Sequence, residues 1–215
     1  MHFPHFHKYA INEIVMVAAM RIEVFSKMRR VIVNPTQFFT DVHAEDWRPA
    51  FRFYLAVMLV IAIVTPLLNV VGMESTDVSS SCQAQIAAYA FMKTHLLESY
   101  GRSAYLLEGV AIVAFSFPLL LSLTVLVHGV YRLLGGKGPL LHGWKSVCYG
   151  LGPCLLGGFL PYVALFVAFY SFALQFYMGP KILYGVKDDR AIAVFTSFVA
   201  LAFIEMFVVG TTVGW

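Results

Sequence analysis

Charge is scarce in this chain: 13% of its residues are Asp, Glu, Lys or Arg, about half the share of an ordinary soluble domain, while 60% are apolar. A soluble fold has no way to hide that much apolar surface. Cysteine is scarce too, with Cys148 and Cys154 inside one apolar run and Cys82 alone in a polar stretch, which excludes a disulfide framework. No nucleophile-and-base pair, metal-ligand set or cofactor loop stands at a recognisable spacing, so the reading is non-enzymatic, with no catalytic residue, cofactor or metal expected. Gly135-Gly136-Lys137-Gly138-Pro139 lacks the GxxxxGK spacing of a phosphate loop. Lys and Arg never cluster with base-stacking aromatics, which excludes nucleic acid as a partner.

What the chain has instead is five apolar runs, each about as long as a bilayer is thick: Ala50 to Gly72, Ser103 to Leu134, Leu141 to Gly158, Phe159 to Met178 and Ala191 to Thr212. They predict an all-α, polytopic helical membrane protein with five transmembrane helices. Residues 1–46 form an amino-terminal cytoplasmic segment and residues 47–215 the membrane domain. Gly157 and Gly158 leave almost no loop before Phe159 and Pro161, so a re-entrant hairpin of the third and fourth runs stands as the alternative.

With the amino terminus in the cytoplasm, one side collects Lys8, Arg21, Lys27, Arg29, Arg30, Arg48, Arg52, Arg132, Lys137, Lys145, Lys181, Lys187 and Arg190. Only Lys93 and Arg102 remain for the other, and this matches the positive-inside bias with an extracytoplasmic carboxyl terminus. Trp47 and Trp144 then lie at the inner interface and Trp215 at the outer one. Anionic lipid headgroups are the expected partner of the basic side.

Before the first span, Ile11, Ile14, Val15, Ala18, Ile22 and Phe25 recur at helical spacing opposite Asn12, Glu13, Glu23, Lys27 and Arg30. Such a helix lies in the membrane interface or packs on the cytoplasmic ends of the spans. Asn34 and Pro35 break it and start another. His2, His5 and His7 offer no fixed metal geometry, and Asp41, His43, Glu45 and Asp46 read as a solvated collar.

Inside the runs, Glu205 lies about two-thirds of the way across the bilayer at about 1.5 Å per residue. Asn69 and Glu108 belong to the same outer half, and an intramembrane acid is a proton- or ion-handling candidate. Ser116, Pro118, Ser122, Thr124 and His128 make the second run the more polar one, with Pro118 a hinge candidate. Ser146, Gly150, Cys154 and Gly158 stand four apart, giving the third helix a flat face suited to close helix contact and self-association. Gly152 and Pro153 interrupt that helix, so Pro153 is a second hinge candidate.

From Val33 onward, Asn34-Pro35 with Phe38-Phe39, the Leu134 to Gly138 loop, Tyr149-Gly150 with Pro153, and Tyr177-x-Gly179 followed by Leu183-Tyr184-Gly185 resemble the Yip domain family. The resemblance implies five spans behind a cytoplasmic amino-terminal part, and no catalytic residue. The Asp-Leu-Tyr-Gly-Pro motif that many eukaryotic relatives carry, and with it the basis for Rab-type GTPase binding, is missing. The chain is more similar to the bacterial and archaeal branch, which implies a prokaryotic cytoplasmic membrane. The expectation is a homo-oligomeric scaffold engaging lipid or a cytoplasmic protein. The alternative is a small transporter, channel or lipid-moving protein with an outer-half cavity at Asn69, Glu108 and Glu205.

Overall fold

The computed structural model describes residues 23–70, 87–157 and 164–213, and every regular element among them is helical. Helix α1 covers residues 23–33, α2 Pro35–Asp41, and a 3-10 turn Val42–Ala44 leads into α3, Trp47–Val70. Helix α4 is Ala87–Tyr100, α5 Ala104–Leu133, α6 Leu140–Gly150 and α7 Cys154–Gly157. Helix α8, Ala164–Ala173, passes through a π turn, Leu174–Met178, into α9, Gly179–Tyr184, and α10 is Asp188–Val213.

Two helices are long and apolar enough to cross a bilayer among the described residues, Trp47–Leu68 of α3 and Ala104–Leu133 of α5. They cross where Pro66, lacking an N–H, releases the carbonyl of Ala62 four residues back. Gly109 of α5 lies against that oxygen, and a Cβ there would come within 2.5 Å of it. Further along, the Tyr54 hydroxyl donates to Ser116 O at 2.7 Å.

The third and fourth runs depart from the expected straight spans. The third is broken at 151–153, where the N–H groups of Gly152, Cys154 and Leu155 turn back three residues to Tyr149, Leu151 and Gly152. The fourth does not stop at Met178. Its winding continues through Pro180 to Tyr184 and ends on Gly185, whose left-handed φ of +64° is open to glycine at little cost. The fifth run forms α10, 26 residues long.

The amino-terminal helix also differs from its expected face. Met28 and Val31 point into the core while Phe25, expected on the apolar stripe, is exposed. The Tyr170 hydroxyl donates to Ile32 O at 2.8 Å, so α1 in its described part packs on the bundle. Residues 11–22, and the histidines at 2, 5 and 7, lie outside the described residues.

Candidate functional site at the basic end of the bundle

Three connections meet at one end of the bundle: 42–46, 134–139 and 185–187. Helix α2 reaches that end because Asn34 caps it, accepting from Gln37 N–H at 3.4 Å, with Pro35 in the first turn. Phe38 and Phe39 are buried there, Phe38 edge-on to Tyr149 with centroids 4.9 Å apart.

Lys145, one of the cations assigned to the basic side, has no exposed surface. Its ammonium donates to Val42 O at 2.9 Å and His43 O at 2.8 Å, carbonyls of the 3-10 turn. A buried ammonium is tolerable only with such partners. Glu45 and Asp46 supply the opposing charge.

Glu45 is no solvated collar. It takes Lys27 at 2.5 Å and the Tyr149 hydroxyl, whose oxygen also lies 3.2 Å from Lys27 Nζ. Asp41 is bonded to Arg30, and Asp46 lies 3.9 Å from Arg48. These acids thus bind cations of their own chain, and no group of three metal-ligating side chains occurs among the described residues.

Tyr184 joins α5, α6 and α9 through one oxygen. It accepts from Gly143 N–H at 3.0 Å and hydrogen-bonds His128 Nδ1 at 2.8 Å. His128 of the polar strip therefore has a side-chain partner within the bundle. Gly143 lets the helices meet this closely, since a Cβ there would fall 2.8 Å from Thr124 O.

The π turn and Pro180 release two carbonyls of the fourth run. Gly179 N–H reaches back five residues to Leu174 O, freeing Gln175 O, and Pro180 has no N–H for Phe176 O. Ser146 donates to Gln175 O at 3.0 Å and Tyr131 to Phe176 O at 2.7 Å. The break in the third run frees Gly150 O in the same way, and Ser171 donates to it at 2.6 Å. Gln175 Nε2 then donates to Ser171 Oγ at 3.0 Å.

Ser146, Gly150 and Cys154 are buried within the chain. A Cβ on Gly150 would lie 2.9 Å from Gln175 N, so the flat face expected for self-association is filled by the chain's own π turn. Gly158 lies outside the described residues. Pro153 is buried in the turn between α6 and α7, whereas Pro118 is exposed on α5 near the Tyr54 tether. Glu108 is 3% exposed within α5. Asn69 and Glu205 are placed on α3 and α10 by backbone alone, their side chains being outside the described residues.

Sequence reasoning missed the burial of Lys145, the Glu45–Tyr149 link and the Gly109–Ala62 contact. Only Pro66 four residues after Ala62 gave a local signal for the last. The residues behind the family resemblance, by contrast, converge here: Phe38 on Tyr149, Gly150 on Gln175, Gly179 on Ser146 and Phe39, Gly136 on Tyr184. No match is found among curated proteins or solved structures. The Yip1 domain matches residues 29–209, which include α2, α3 and every later helix up to the last turn of α10. The chain belongs to the Yip1-domain family of polytopic, generally non-enzymatic membrane proteins.

Proposed function

We propose that the protein is a non-enzymatic membrane scaffold or adaptor whose basic end faces the cytoplasm and engages anionic lipid or a cytoplasmic protein. The observation that carries this reading is the sealing of the helix breaks. The carbonyls of Gly150, Gln175 and Phe176 are each taken by a hydroxyl of a neighbouring helix. A broken helix serves transport when its freed carbonyls face a wet cavity, and these do not. The same bonds make the end rigid, as a docking surface requires. Self-association through the Ser146–Gly150–Cys154 face has no support, because that face is filled.

A small transporter remains the second reading, favoured by Glu108, a buried acid in a membrane-length helix. Flux separates the two. Proteoliposomes loaded with proton- or cation-sensitive dye are expected to show no protein-dependent signal. Flux that falls in Glu108→Gln or Glu205→Gln would establish the transporter instead.

A further inference from the structure

Cations of the basic side differ in whether an acid of the chain lies within reach, and Arg29 and Arg52, like the loop cations below, are exposed with none among the described residues. Arg30, Arg48 and Lys181 each have a carboxylate of the same chain within 4.0 Å, namely Asp41, Asp46 and Asp188. Arg132, Lys137 and Lys187 are exposed and have none among the described residues. The segments that carry the loop cations are bonded to each other. Lys137 N–H donates to Tyr184 O at 2.9 Å, Gly136 N–H to Tyr131 O at 2.9 Å, and Arg190 Nη1 to Leu134 O at 2.6 Å. Gly136 also lies against Val186, the residue before Lys187, so closely that a Cβ there would meet Val186 Cγ2 at 2.9 Å. The two loops are interlocked, and the segments 132–137 and 187–190 carry Arg132, Lys137, Lys187 and Arg190.

The surroundings of this patch are apolar. Leu133 is 90% exposed beside Arg132, and Leu140 is 47% exposed at the far end of the same loop. Leu133 ends α5 and Leu140 begins α6, so in the membrane reading an acyl chain would cover both. A soluble phosphate has no use for those leucines; a lipid does.

We propose that this loop pair binds an anionic lipid, with Arg132, Lys137, Lys187 and Arg190 around its headgroup phosphate and Leu133 and Leu140 against its acyl chains. A phosphomonoester fits better than a phosphodiester, because its charge at pH 7 is about −1.5 to −2 and the patch has several cations to match. The proposal rests on the reading of this end as a docking surface and names its ligand class.

The test is lipid retention by the full chain, released from nanodiscs of phosphatidylcholine, phosphatidylserine and phosphatidic acid and read by native mass spectrometry. Wild type is expected to retain phosphatidic acid above both other lipids. Lys137→Glu and Lys187→Glu are each expected to lower retention by more than about fivefold, since loss of one juxtamembrane cation alone accounts for that much and the new carboxylate adds repulsion. Arg30→Gln and Arg48→Gln, on the matched side, should leave it unchanged. Equal retention of all three lipids, or an unaffected Lys137→Glu/Lys187→Glu double variant, would overturn the proposal. So would inorganic phosphate binding to the detergent-solubilised chain with no preference among lipids, since the patch would then read free phosphate. Retention is measured without reference to flux, so a transporter result leaves this assignment standing or falling by itself.

Discussion

The two sides of the basic end handle their cations in opposite ways. On the α1–α2 side Lys27, Arg30 and Lys145 are each bonded to a carboxylate or carbonyl of the chain itself. On the side of the interlocked loops Lys181 is paired with Asp188, but Arg132, Lys137 and Lys187 have no acid among the described residues. The first side uses charge to fix its own structure; the second leaves it free for the lipid proposed above. Position in the sequence does not separate these roles, since Lys145 and Arg132 both stand within apolar runs while Lys27, Arg30, Lys137 and Lys187 stand in the segments between or before them.

The largest expected effect tests the matched side. Lys145→Ala should lower stability by about 3 kcal/mol, because two buried carbonyls lose a charged donor and a cavity opens. Chemical unfolding in detergent measures it, and a loss below about 0.5 kcal/mol would mean that Lys145 is not holding the 3-10 turn. Gly150→Leu should follow at about 1–3 kcal/mol through overpacking against Gln175. That loss should be the same at every protein dilution, whereas a loss that grows on dilution would put Gly150 between copies. Tyr184→Phe removes the oxygen shared by Gly143 and His128, and should lower stability by about 1 kcal/mol.

Smaller still is the pH effect of the Lys181–Asp188 pair. The bond from the Lys181 ammonium holds the Asp188 carboxyl below the usual carboxylate range, and the bond to Asp188 raises Lys181. The Asp188 contribution is therefore complete above the ordinary aspartate pKa and lost as pH falls through the lowered one. That of Lys181 is complete below the ordinary lysine pKa and lost as pH rises through the raised one. Asp188→Asn should flatten both limbs in a melting series across pH, and limbs that persist in it would trace to other groups. Least of all, Lys137→Glu and Lys187→Glu should shift stability by no more than about 0.5 kcal/mol. A larger shift would make that side structural as well and erase the contrast.

Much of the membrane character was legible because apolar runs and charge placement are local properties. Trp47–Leu68 and Ala104–Leu133 announce themselves by length and composition alone. The small residues of the third run were legible as a contact face, but not its partner. Nothing in Ser146 or Gly150 tells a neighbouring copy from the chain's own π turn. The continuation of the fourth run to Tyr184 was hidden by Gly179-Pro180, which reads as an end until Ser146 and Tyr131 are seen to bond the carbonyls it frees. The burial of Lys145 was hidden for a similar reason, since its carbonyl partners lie more than 100 residues away in sequence.

The central claim is that the family-motif residues and the interlocked loops share one end of the bundle and one side of the membrane. Side-specific labelling tests it directly, with single cysteines at Lys137, Lys187 and Glu98 in a Cys82→Ser background whose Cys148 and Cys154 are buried. An impermeant maleimide should reach positions 137 and 187 together from the cytoplasmic face and position 98 only from the opposite one. Labelling of 98 and 187 from the same face would contradict the account.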